Sequence, residues 1–155
     1  QPTKPRTKTT VSRVPFVTAT SLSRPRTSQR LEDRMIEQLE GFPDNVVAFV
    51  CHGHVTKEDY ATVLIPIVEK ALKQHEKLRL YYETASDFSG IDPSAVWQDT
   101  KVGMSHLFRW ERIAVVTDID WIKHTISFFG FLMPAELRVF QPSDATNART
   151  WIVQA

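Results

Sequence analysis

The chain has 155 residues, 42% of them hydrophobic, enough for one domain with a real core. Its formal charge of +1 conceals two opposite parts: residues 1–34 carry eight Lys or Arg against Glu32 and Asp33, a net of +6, and residues 35–155 carry a net of −5. An acidic folded part, with no aromatic array interleaved with Lys or Arg, argues against a nucleic-acid partner. The single cysteine, Cys51, excludes an internal disulfide and suits a reducing cytoplasm, and no apolar run is long enough for a membrane span.

Residues 1–34 hold four of the nine prolines and eleven Ser or Thr, with no acid before Glu32. Val14, Pro15, Phe16 and Val17 form their sole apolar cluster, too little burial to offset the entropy of ordering the segment. A disordered basic extension is expected over 1–34 and a single folded domain over 35–155. Arg and Ser with few acids also suit a transit peptide, but the prolines oppose the amphipathic helix that such a peptide needs. Met35 is the first methionine and stands where the composition changes, so a natural start is expected there.

From that point strands and helices alternate. Residues 35–39 alternate weakly and predict a first strand, turned by Gly41, Pro43, Asp44 and Asn45. Val46–Cys51 predicts a second strand, antiparallel to the first. Thr56 caps a helix with Asp59 as its capping-box partner, and Tyr60, Val63, Leu64, Ile67, Val68, Ala71 and Leu72 form the buried stripe. Pro66 should kink that helix. Residues 78–82 predict the third strand. Asp92 and Pro93 pair a cap with a first-turn proline and open a second helix to about residue 108, with Trp97, Met104, Leu107 and Phe108 facing the core. Residues 113–117 are apolar or β-branched without alternation, as a strand buried on both faces requires. A third helix over 121–129 follows, then a short strand over 137–140. Ser143 caps a final helix whose Ala145, Ala148, Trp151 and Ile152 point inward.

Three stretches carry a family resemblance. G-H-V-T-K-E-D-Y at 53–60 enters the first helix, W-Q-D-T-K-V-G-M-S-H at 97–106 precedes R-I-A-V-V-T-D at 112–118, and L-R-V-F at 137–140 leads to a helix with Ala148 and Trp151. With the antiparallel opening pair, they resemble the bacterial STAS/SpoIIAA-like family of small proteins. The resemblance implies an α/β, SpoIIAA-like fold: a mixed, mostly parallel sheet of about five strands with an antiparallel first pair, flanked by about four helices. It brings no established activity, and the expectation is a non-catalytic regulatory or ligand- and partner-binding module. Anti-sigma antagonists of the STAS type carry a phosphorylated Ser in an Asp-Ser-Ser-Gly loop before the second helix. The corresponding loop here reads G-I-D-P-S-A, leaving Ser94 in register. It is either a phosphorylation site in a helix's first turn or, more plainly, a polar residue in contact with water.

Asp99, Lys101, His106 and Asp118 are the polar residues that a small enzyme with a polar cleft would draw on. Lys101 and His106 lie about 140° apart around a helix, and Asp118 ends a parallel strand, where α/β folds place ligands. The plainer reading is a set of ion pairs joining helix to sheet, and without a nucleophile at a strained turn catalysis is not favoured. His52 and His54 could share a strand face, but no third ligand is in evidence and no metal is expected. Cys51 should fill core space as a small hydrophobe. The glycines are isolated, so no phosphate-binding cofactor is expected.

I-S-F-F-G-F-L-M-P at 126–134 is apolar on more than one face of a helix. It is either the core of a helix-to-strand corner or an exposed patch for a protein partner, a second copy in a homodimer, or an acyl-type ligand. In the last case Asp118, Trp121, Phe128, Phe129 and Phe131 are the ligand-binding residues. Lipid-binding CRAL-TRIO domains share a similar fold, which adds slight weight to a lipid or acyl ligand.

Overall fold

The computed structural model describes Thr3 and residues 34–94, 107–131 and 133–155. Ile36–Gln38 (β1) lies antiparallel to Val46–Cys51 (β2), from Ile36 opposite Cys51 to Gln38 opposite Phe49. The turn between them uses Gly41 at φ +85°, a left-handed conformation that a side chain would disfavour. Leu78–Thr84 (β4) runs parallel to β2, Trp110–Val116 (β6) parallel to β4, and Glu136–Phe140 (β7) parallel to β6. The sheet order is β1–β2–β4–β6–β7. Mixed five-stranded architecture with one antiparallel edge is what the sequence predicts. Two short strands, His54–Val55 (β3) and Gly90–Ile91 (β5), form a separate parallel pair beyond the strand ends, which it does not.

Three helical segments pack on the sheet among the described residues. The first, α1, covers residues 57–74 in three consecutive pieces: Lys57–Asp59, a π-helical stretch Tyr60–Leu64, and Ile65–Gln74. Its start is the expected capping box. Thr56 Oγ1 accepts from the Asp59 N–H at 3.3 Å, and the Asp59 carboxylate accepts from the Thr56 N–H at 2.8 Å. Where a kink is expected at Pro66, the helix shows a π-helical stretch just before it. Pro66 has no N–H to continue the α ladder, so it sits in the first turn after the widening, where that donor is dispensable. The second segment, α2, is Asp120–Gly130, and the third, α3, is Ala145–Val153.

Strand alternation sends these helices to opposite faces. Val47, Phe49, Leu80, Tyr82, Ile113 and Val115 project toward α1 and α2, meeting Val68 and Leu72 of α1 and Ile122 of α2. Val46, Ala48, Tyr81, Ala114 and Val116 project the other way, onto Ala148, Trp151 and Ile152 of α3. The α3 end is held from the strands beneath it. Arg79 on β4 is buried and donates to the carbonyls of Ile152 and Gln154 and, at 2.8 Å, to Glu111. Arg112 on β6 donates to the Gln154 carbonyl at 2.6 Å and stacks with Arg138 around the Trp151 ring. These bonds satisfy carbonyls that a helix end leaves unpaired and place positive charge at its negative pole.

Two sequence expectations are corrected here. Phe108 is not a core contact: it lies in a short 3-10 turn, Leu107–Arg109, and is 76% exposed. That turn is fixed instead by Arg109, which donates to the carbonyls of Leu72, His75 and Glu76 at the end of α1. Ser143 does not cap α3. It falls inside a 3-10 turn, Pro142–Asp144, and the residue at the cap, Asp144, makes no side-chain cap bond. Proline at 142 starts the helical path one turn early, where its fixed φ is already helical. Of the helix expected over 92–108, Pro93 and Ser94 are helical, and Trp97 and Met104 lie outside the described residues.

Candidate functional site

On the face shared by α1 and α2, the two helices leave a cleft of about 400 Å³. Its floor is sheet, from Leu80 and Tyr82 on β4 and Val115 on β6. One wall is Tyr60 of α1, and the other is Trp121, Ile122, Thr125 and Ile126 of α2. Ile91 and Pro93 close the end nearest the strand C-termini. The volume falls within the range of small-molecule sites, and among the described residues the lining is dominated by aliphatic and aromatic side chains.

Among the described lining residues Tyr60, Tyr82 and Thr125 carry hydroxyls, and Thr125 donates its own to the Trp121 carbonyl. The Tyr60 and Tyr82 hydroxyls meet at 3.4 Å where wall and floor join. Behind Tyr82 lies Cys51, fully buried. Burial pushes the Cys51 thiol up to about 12 and the Tyr60 phenol up to about 12, and raises Tyr82 well above its ordinary value. All three groups are therefore protonated at neutral pH. Cys51 is inert as a nucleophile, in keeping with its expected part as a small hydrophobe.

Comparison with known proteins identifies the family and the fold. A sequence profile of SpoIIAA-like domains matches residues 46–153, which span β2 through α3 and every wall of the cleft. The chain belongs to the SpoIIAA-like family. A crystal structure of an uncharacterized protein of the DUF3478 family with a SpoIIAA-like fold, from Shewanella loihica PV-4, is similar with a TM-score of 0.59 and 24% sequence identity. The match covers 76% of this chain and 91% of that one and concerns the fold alone. No curated protein matches the chain.

Within this SpoIIAA-like frame the sequence-predicted residues scatter. Trp121 lines the cleft and is half exposed. Phe128 and Phe131 are instead largely exposed, by 71% and 94%, along α2 and just past its end. Asp118 is exposed beyond the end of β6. Asp99, Lys101 and His106 lie outside the described residues, as does the Phe129 side chain. Ser94 donates its backbone N–H to the Asp92 carboxylate at 2.9 Å, and that bond with a side-chain bond to Ser94 holds Asp92 below its usual range. His52 and His54 do not act together: the His52 ring pairs with Asp87 at 3.1 Å on an exposed rim, and His54 belongs to the separate β3–β5 pair. Among the described residues no group of three or more His, Cys, Asp or Glu could hold a metal ion, and no helix is long and apolar enough to cross a membrane.

Sequence reasoning missed Tyr60 and Tyr82 as site residues. Tyr60 reads as one more member of a helical stripe and Tyr82 as the last apolar residue of a strand. The usable signal lay on the other wall. Ile122, Thr125 and Ile126 sit on one helical face, so a threonine breaks into an apolar stripe where it meets the cleft.

Proposed function

We propose that this SpoIIAA-like domain is a non-catalytic module that holds a small apolar ligand in the cleft between α1 and α2. The observation that carries the reading is the lining itself: about 400 Å³ walled by Leu80, Ile91, Val115, Trp121, Ile122 and Ile126. An apolar cleft kept open in water costs free energy that an apolar guest returns by removing that surface from solvent. Protonated phenols and a buried thiol supply neither general base nor nucleophile at neutral pH, which favours binding over chemistry. A second observation favours an associating face as well. Trp121, Phe128 and Phe131 expose large rings along α2 and just past its end, where a protein partner or a second copy of the chain would dock. A regulatory role follows if ligand and partner compete for Trp121, which belongs to both surfaces.

Native mass spectrometry of the purified chain tests the ligand reading. The expected result is a retained species heavier than the bare chain, lost in an Ile126→Trp variant whose larger ring fills the cleft. A bare mass under gentle conditions for the wild type, as for Ile126→Trp at its own chain mass, would sink the reading.

A further inference from the structure

Tyr82 rises from the cleft floor and Tyr60 from its wall, and their hydroxyls stand 3.4 Å apart. A well-formed O–H···O bond is about 2.7–2.8 Å, so this contact is a weak one. Each phenol has one proton to donate and can accept as well, so even the best arrangement commits only one of the two protons to the pair. Tyr82 also hydrogen-bonds the Cys51 thiol. Two phenols and a thiol joined in a chain make two bonds among themselves, so one of their three protons is left without an acceptor beside an apolar cleft. Leaving a buried donor unsatisfied is unfavourable, and an acceptor brought by a guest would relieve it.

We propose that the guest of the cleft carries a carbonyl oxygen seated on the Tyr60–Tyr82 hydroxyl pair, with its hydrocarbon body against Ile91, Trp121, Ile122 and Ile126. The proposal rests on the ligand reading of the cleft and names its substrate class: a neutral ketone, ester or amide with an apolar chain or ring. A carbonyl suits the pair because its two lone pairs can accept from two hydroxyls at once. A pure hydrocarbon would fill the same volume and leave both phenols as they are.

The test uses two probes of one shape, acetophenone and α-methylstyrene, which differ by an oxygen in place of a methylene. Each is titrated into the full ¹⁵N-labelled chain while amide resonances of Ile122 and Ile126 are followed. The same titrations are run on Tyr60→Phe and Tyr82→Phe. Acetophenone affinity is expected to fall about fivefold in either variant, the worth of one ordinary hydrogen bond, with α-methylstyrene unchanged. Tyrosine-to-phenylalanine keeps the ring, and if Tyr82→Phe fails to fold, the wall residue Tyr60 carries the test alone. Equal affinities in wild type and variants for both probes, with the cleft resonances still shifting, would overturn the carbonyl proposal and leave the cleft as a plain apolar site. No shift with either probe in the wild type would overturn the cleft reading itself.

Discussion

Cys51 closes β2 with its side chain fully buried on the face toward α1, beside the Tyr82 hydroxyl. Burial raises its folded-state pKa from 9.0 to about 12, while the unfolded thiol titrates near the ordinary value. Between those two values the folded chain holds a proton that the unfolded chain has lost. The stabilisation is therefore complete below pH 9 and drains away as pH rises toward 12. Tyr60 works in the same direction, from 10.0 to about 12. Urea unfolding of the wild type should lose stability more steeply between pH 8.5 and pH 11 than that of Cys51→Ala, which lacks the thiol (~2 pH units suffice to see the slope). Parallel slopes would show that the thiol gains water in the folded state. The burial of Cys51 was legible in the sequence, because a cysteine inside an apolar strand behaves as a small hydrophobe. Its neighbour across the sheet was not, since Tyr60 and Tyr82 meet only after β2, α1 and β4 have taken their places.

At the scale of elements, what held was set by local pattern and what failed depended on distant partners. The capping box at Thr56 closes within four residues, and the unalternating apolar run before Thr117 needs burial on both faces wherever it lies. Phe108 looked like a core residue by its chemistry, yet Arg109 beside it pins the turn to the end of α1 and leaves the ring outside. The fixing of α3 was likewise illegible, because Arg79 reaches carbonyls more than seventy positions away. That bond set gives a clear expectation. Arg79→Met should cost about 2–3 kcal/mol in urea unfolding, since the Ile152 carbonyl loses its donor and Gln154 keeps only Arg112. Arg79→Lys should recover part of this, as an ammonium cannot reproduce the planar fork that serves Glu111 and two carbonyls together. Equal stability of Arg79→Met and wild type would mean that α3 is held by Trp151 and Ile152 packing alone.

For the whole molecule, the exposed rings on α2 bear on whether the chain acts alone. Trp121 and Phe128 are seven residues apart, two helical turns on one face, and Phe131 follows just past Gly130, the last residue of α2. The three are 51%, 71% and 94% exposed. A large aromatic side chain presents roughly 150–250 Å² when fully exposed, so the stripe offers a good part of the ~800 Å² per partner that a stable interface buries. A two-fold axis through such a stripe would match it to itself, because antiparallel helices bring each end of one against the other end of its copy. Size-exclusion chromatography with light scattering should therefore show a concentration-dependent dimer for the wild type. Phe131→Lys should give monomer with the same melting temperature, because a ring this exposed contributes nothing to the core that the substitution could remove. It should also leave acetophenone binding intact, since Phe131 stands in solvent beyond the end of α2 rather than in the cleft. Trp121→Lys, by contrast, should weaken both dimer and ligand, as Trp121 belongs to the stripe and to the cleft wall. A wild type that stays monomeric at every accessible concentration would remove self-association and leave the stripe to a partner of different sequence.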